Sequence, residues 1–142
     1  MRFWDSSALL PLLIAETTSA RMDGYYREDP VVVTWWGTKI ECVSALARLE
    51  RDGDMATDQA RLAFERLDAA SATWIEVPAQ DDVRDQSIRL LRMHRLRAAD
   101  ATQIGAALVA SGFSPRSLTF VTLDVRQGDA AEREGFSLLN NA

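Results

Sequence analysis

The sequence predicts an α/β fold: a central parallel sheet of four to five strands, covered by helices on both faces as an α/β/α sandwich. Two observations lead there. Short apolar runs recur along the chain, and segments with apolar residues at helical spacing separate them. Strands that are apolar throughout, rather than alternating, are buried on both faces, as in parallel sheets with helical crossovers.

The elements follow in order. Arg2-Phe3-Trp4 reads as the first strand and stops abruptly at Asp5-Ser6-Ser7. A helical segment begins at Ala8-Leu9-Leu10, with Pro11 near its start, where the missing amide hydrogen does no harm. A second helix covers Ser19 to Arg27 and is broken by Asp29-Pro30. Val31-Val32-Val33-Thr34 is β-branched throughout and reads as the second strand. A long helix should run from about Trp36 to Arg51, with Trp36, Ile40, Val43 and Ala47 on one face and Cys42, Leu46 and Leu49 widening it. This spacing places Trp36 in the core. It places Glu41 with Ala45 and Arg48, off the apolar stripe.

Thr57 can cap the next helix, which continues through Ala60, Phe64 and Leu67. Trp74-Ile75-Glu76-Val77, closed by Pro78, is the third strand, and Trp4 and Trp74 are assigned to the core. Helices are expected over Asp82–His94 and Ala98–Ala110, the latter stopped by Gly112. Thr119–Thr122 is the fourth strand, followed by a short helix near Ala130 and a last strand at Phe136-Ser137-Leu138. No repeat or linker interrupts the series, so residues 1–142 read as one domain.

Hydrophobic residues make up 47% of the chain and charged residues 26%, proportions that fit a globular protein and exclude a disordered one. No apolar run is long enough to cross a bilayer, and Asp5 interrupts the opening too early for a signal peptide. Cys42 is the only cysteine, so no internal disulfide and no cysteine-based zinc site is available. Together these suggest the cytoplasm. The net charge is −5, with Lys39 the only lysine, which disfavours a nucleic-acid binder that works through a broadly basic surface.

Four carboxylates stand where an open parallel sheet forms its sites, outside the carboxyl ends of the strands. Asp5 follows the first strand and Asp124 the fourth; Asp100 lies in the first turn of a helix whose inner face carries Ile104, Ala107 and Leu108; Glu41 lies early in the long helix. Each also has a plainer reading. Asp5 can cap a helix, Asp100 can complement a helix dipole, Asp124 can make an Asx-turn, and Glu41 can be a solvated charge. If they converge, their mutual repulsion calls for a cation. Oxygen-only ligands suit Mg²⁺ or Mn²⁺, and such ions activate water toward phosphodiesters. His94 is the only histidine, which leaves little scope for imidazole catalysis.

Four blocks of the sequence resemble PIN domains, in particular ribonuclease toxins of the VapC type: Phe3-Trp4-Asp5-Ser6-Ser7-Ala8-Leu9, Ile40-Glu41-Cys42-Val43-Ser44-Ala45-Leu46, Leu96-Arg97-Ala98-Ala99-Asp100-Ala101 and Phe120-Val121-Thr122-Leu123-Asp124. Together, in this order, they span nearly the whole chain. The resemblance implies a PIN fold, Mg²⁺- or Mn²⁺-dependent cleavage of RNA, and Asp5, Glu41, Asp100 and Asp124 as the acidic constellation, with Asp5, Asp100 and Asp124 as metal ligands. It also implies a cognate VapB-type antitoxin and a homodimer. Two stretches depart from the family pattern: Trp35-Trp36-Gly37-Thr38-Lys39 before Glu41, and Val125-Arg126-Gln127-Gly128-Asp129 after Asp124. Other readings from the same residues are a catalytically weak PIN module acting through protein binding, and a DNA- or RNA-processing nuclease.

Arg89, Arg92, Arg95 and Arg97, with His94, form the densest basic stretch; they can hold phosphates or form a solvated face. Trp35 can stack on a base. Thr122 can hydrogen-bond a carboxylate, and Asp129 can extend the acidic group or serve as a turn residue. The chain lacks G-x-x-x-x-G-K-[ST], a second aspartate two residues after Asp5, and G-x-S-x-G. These absences argue against a P-loop NTPase, an aspartyl-phosphate phosphatase and a serine hydrolase of the elbow type.

Overall fold

A computed structural model describes residues 1–140; Asn141 and Ala142, the end of the expected 1–142 domain, lie outside the described residues. Five short strands, β1 (Arg2–Trp4), β2 (Val32–Trp35), β3 (Ile75–Val77), β4 (Thr119–Val121) and β5 (Ser137–Leu139), form one sheet in the order β3-β2-β1-β4-β5. Every pairing is parallel. The chain lays β2 and β3 on one side of β1, then returns to lay β4 and β5 on the other. The strand order therefore switches direction between β1 and β4, where Trp4 pairs with Val121.

Alternation along each strand sends neighbouring residues to opposite faces, which separates two cores. Phe3, Val33 and Phe120 face the helices α5 (Asp81–Met93), α6 (Ala98–Ala110) and α7 (Val125–Arg133), joining Val83, Leu90, Ile104 and Ala131. Phe3 and Phe120 stack with ring centroids 5.2 Å apart. Trp4, Val32 and Val121 face the other way, against α1 (Ser6–Leu13), α2 (Ser19–Glu28), α3 (Thr38–Arg51) and α4 (Thr57–Ser71), where they meet Leu9, Met22, Cys42, Leu46 and Leu67. Trp4 is fully buried, and Trp74 packs partly buried against this second core. Helices α5 and α6 lie very close together. A Cβ on Gly105 would stand 2.7 Å from Ser87 Oγ, so only glycine fits there.

Three local expectations need correction. Helix α1 starts at Ser6, capped by Asp5, so Pro11 falls inside the helix rather than near its start; the cap, not the proline, sets the boundary. Thr57 is the first residue of α4, and the Gln59 side chain instead accepts the amide hydrogen of Ala56, 3.0 Å away. In α3 the buried stripe is Thr38, Cys42 and Leu46, whereas Trp36, Ile40 and Val43 are exposed. The core takes the Thr38-Cys42-Leu46 side of the helix rather than the Ile40-Val43 side, and Trp36 lies in the turn before it.

Candidate active site

The fold carries all four acidic positions to the carboxyl edge of the sheet, and two of them flank the topological switch point. Asp5 ends β1 and Asp124 follows β4. Both also cap helices: the Asp5 side chain accepts from Ala8 N at 3.3 Å, and the Asp124 side chain from Gln127 N at 2.9 Å. The plain and the chemical readings of these residues thus coexist, since a cap fixes a carboxylate at a helix amino end without consuming both oxygens. Asp100, in the first turn of α6, accepts from Arg97 N at 3.2 Å. Glu41, in the first turn of α3, is half-buried. Its Oε2 accepts from Gln103 Nε2 at 2.9 Å and its Oε1 from Ser6 Oγ at 3.1 Å. The orientation of α3 brings Glu41 toward α6 instead of solvent.

Neutral donors bind these positions into one network. Ser7 Oγ donates to Asp5 Oδ1 at 2.7 Å and accepts from Leu123 N at 2.9 Å. Ser7 Oγ also lies 3.3 Å from Thr122 Oγ1, which accepts from Asp124 N at 3.1 Å. Gln103 Nε2 donates to Thr38 Oγ1 at 3.0 Å, and Gln127 Nε2 donates to the Asp100 carbonyl at 3.3 Å. Thr38, Gln103, Thr122 and Gln127 are all buried. Thr122 was singled out by sequence; Gln103 and Gln127 were not. Gln103 left one trace, an amide immediately before the run Ile104–Ala110, which holds no polar side chain, three residues beyond Asp100 and so on its face of the helix.

The electrostatics follow from this choice of partners. Burial pushes the Asp5 carboxyl up to about 7, against the opposing pull of bonds from Ser7, Thr122 and Ala8, and the Asp124 charge raises it further. Burial likewise raises Glu41, against bonds from Gln103 and Ser6, with the Asp100 charge adding to the rise. The acids thus interact as two pairs, Asp5 with Asp124 and Glu41 with Asp100. A cleft lined by Arg97, Asp100, Asp124, Val125, Arg126 and Asp129 joins the pairs.

Among the described residues, no three carboxylate, imidazole or thiol groups stand close enough together to share one ion. Each carboxylate is turned instead toward a hydrogen-bond donor of the chain. In chemistry, though not in spacing, the donor set matches a hard divalent cation. It is all oxygen, and buried acids raised by burial and by one another are the groups that an added positive charge relieves. Cys42 is buried beside them, and burial pushes its thiol up to about 12.

The basic stretch divides. Arg89 pairs with Glu134 at 2.5 Å, and His94 Nε2 lies 2.8 Å from the same carboxylate, so these residues tie α5 to the end of α7. Arg92 and Arg95 are exposed, and Arg97 alone of the stretch lines the acidic cleft. Asp129 lines that cleft too. Trp35 packs partly buried against the first core. Among the described residues no helix is long and apolar enough to cross a membrane.

No protein-family model matches the chain, and no curated protein matches it. Solved structures do. FitAcB from Neisseria gonorrhoeae superposes with a TM-score of 0.70 over 99% of this chain and 97% of that one, at 17% identity. VapC20 from Mycobacterium tuberculosis, described as a sarcin-ricin loop cleaving toxin, gives 0.68 over 96% of each chain at 18% identity. A toxin-antitoxin complex from Klebsiella pneumoniae gives 0.60 over 89% of each chain at 14% identity. At such identities the shared property is the architecture, and this chain has the PIN-like fold of those toxin-system proteins.

Proposed function

We propose that this chain is a single-domain, metal-dependent endoribonuclease, the toxin of a type II toxin–antitoxin pair acting in the cytoplasm. The observation that carries this reading is the placement of Asp5 and Asp124 just beyond the two strands that flank the switch point. Glu41 and Asp100 stand beside them, and neutral donors hold the acids together. The reported activity of VapC20, cleavage of the sarcin-ricin loop, makes RNA the favoured polymer.

Asp5, Asp100 and Asp124 would hold Mg²⁺ or Mn²⁺, with Glu41 adjacent. Bound there, such an ion supplies polarisation of the phosphodiester and a more acidic water. Glu41, steadied through Oε2 by Gln103 and through Oε1 by Ser6, holds the attacking water and accepts its proton. Burial has already raised its affinity for that proton. The water oxygen bonds to phosphorus as the bond to the leaving oxygen breaks in line. Ser7 and Thr122 keep Asp5 and Asp124 in place throughout.

A protein partner, a VapB-type antitoxin or a second copy, is supported by exposed Ile88, Leu91 and Met93 on α5. An apolar groove of about 350 Å³ lined by Trp35, Val83, Ile88 and Leu91 lies beside them. The separate engagement of each carboxylate favours one alternative, a catalytically weak module that acts by binding alone. Incubating RNA with wild type and Asp5→Asn, in Mn²⁺ and in EDTA, separates the two. The nuclease reading expects cleavage only by wild type with metal, with Asp5→Asn slower by more than about 100-fold. Intact RNA in every lane establishes the binding module, and equal cleavage by Asp5→Asn overturns the carboxylate mechanism.

A further inference from the structure

The acidic cleft contains two arginines that the mechanism does not use. Arg97 precedes α6, three residues before Asp100, and Arg126 is the second residue of α7, two after Asp124. Both line a cleft of about 650 Å³ together with those aspartates. Arg2, Arg27, Arg61, Arg84 and Arg89 form ion pairs, and none of the other arginines lines this cleft. Arg97 and Arg126 are exposed, and among the described residues their guanidinium groups have no partner.

Their place in the acidic cleft bears on the charge problem set by the composition. A chain of net charge −5 that gathers carboxylates in one cleft repels a phosphodiester before any chemistry can occur. Free positive groups at the cleft itself would offset that repulsion beside the metal. Guanidinium matches this demand, because its fork of donors fits two phosphate oxygens and its charge survives at any working pH. Both arginines also sit at helix amino ends, whose backbone dipoles favour anions in the same place. The rest of the basic stretch does not share the geometry. Arg89 is committed to Glu134, and Arg92 and Arg95 are not among the residues lining the cleft.

We propose that Arg97 and Arg126 form a phosphate clamp, which grips the backbone of an RNA strand beside Asp100 and Asp124. This rests on the ribonuclease reading above and assigns the substrate-holding residues within it. Phosphate contacts fix register without reading sequence, so the clamp sets affinity and salt dependence, whereas the choice of RNA lies elsewhere.

The test measures binding and cleavage separately. Binding of a fluorescent single-stranded RNA is followed in the Asp5→Asn background at fixed Mg²⁺ and rising KCl, and cleavage is followed in otherwise wild-type protein. Arg97→Gln and Arg126→Gln should each weaken binding roughly tenfold and flatten the plot of log affinity against log salt by about 0.7. Each should also raise KM. Arg126→Lys should keep the slope, since it keeps the charge. Arg116→Gln, exposed before β4 at the opposite edge of the sheet, should change nothing. Cleavage by wild type with slope and KM unmoved in both glutamine variants overturns the clamp and leaves the nuclease standing. If wild type neither binds nor cuts RNA, both ideas fall.

Discussion

At the amino edge of the sheet, Asp29 meets the chain's own amino terminus and Glu28 meets Arg2, whereas at the carboxyl edge Asp5 and Glu41 meet only serine, threonine, glutamine and backbone donors. The consequences are opposite in sign. Asp29 is held below the usual carboxylate range chiefly by its bond from the terminal amine. Asp5 and Glu41 are raised by burial that their neutral donors do not fully offset. Glu134, between Arg89 and His94, behaves like Asp29 and is lowered. Where carboxylates serve the fold, the chain supplies the cation. At the carboxyl edge it supplies orientation and pairs neither Asp5 nor Glu41 with a cation.

The contrast predicts a pH dependence that cations should erase. Asp5 is raised to about 7 from 3.8, so between those values the native state binds more protons than the unfolded one. Its contribution to stability is complete below about pH 4 and is lost as pH rises through 7, an upper bound of about 4 kcal/mol. Glu41 adds in the same direction, whereas Asp29 and Glu134 contribute stability that is lost as pH falls through the acidic range. Metal-free protein should therefore melt lower at pH 7.5 than at pH 5.5, and Asp5→Asn should flatten that decline. Mn²⁺ at 100 times its dissociation constant should add about 2.7 kcal/mol at pH 7.5, and Asp5→Asn should lose most of that gain. Denaturant titrations of both proteins, with EDTA and with Mn²⁺, measure all four quantities. A metal-free stability that stays level between pH 5.5 and 7.5 would show that the carboxyl edge is no more strained than the amino edge.

A smaller effect tests whether neutral donors orient the site. Gln103 joins Glu41 to Thr38 across α6 and α3. Gln103→Leu leaves both partners short of a bond, for a loss of about 1–3 kcal/mol. Thr38→Val removes a partner of Gln103 but leaves the Glu41 bond available. Both variants should lose stability, but only Gln103→Leu should also lower kcat, by about 10–100-fold, with KM little changed. Equal kcat in the two variants would make Gln103 a packing residue and Glu41 a group that needs no holding.

How far the site could be read from sequence depended on what each residue answers to. Asp5 and Asp124 announce themselves because strand ends are visible as the stops of apolar runs, and site position follows from strand ends in a parallel sheet. The strand order is not written in any local pattern; it emerges only from pairings such as Trp4 with Val121. Glu41 was misread by the helical wheel, since the wheel centred the buried face on Trp36, Ile40 and Val43 whereas Thr38, Cys42 and Leu46 are buried and Glu41 meets Gln103 of α6. The four-block resemblance placed it where periodicity did not. Gln103, Gln127 and Arg126 were passed over because their bonds reach partners 5 to 65 positions away or, for Arg126, because the cleft it lines is built by two helices.

Trp36 gives the smallest effect and the sharpest check on that misread helix. Its backbone amide donates to the Val77 carbonyl at 3.0 Å, extending the β2–β3 ladder, while its side chain is 54% exposed. The ladder bond needs no indole, so Trp36→Ala should change stability by no more than about 0.5 kcal/mol. Trp4 is the counterexample on the neighbouring strand: it is fully buried among Leu9, Met22 and Val121, and Trp4→Ala should cost about 3–5 kcal/mol. Helical spacing alone would have ranked Trp36 with the core residues Cys42 and Leu46. Urea unfolding of the two alanine variants decides between the wheel and the structure. A loss of 3 kcal/mol or more from Trp36→Ala would mean that α3 is rotated from the orientation described, and Glu41 would then no longer face Gln103.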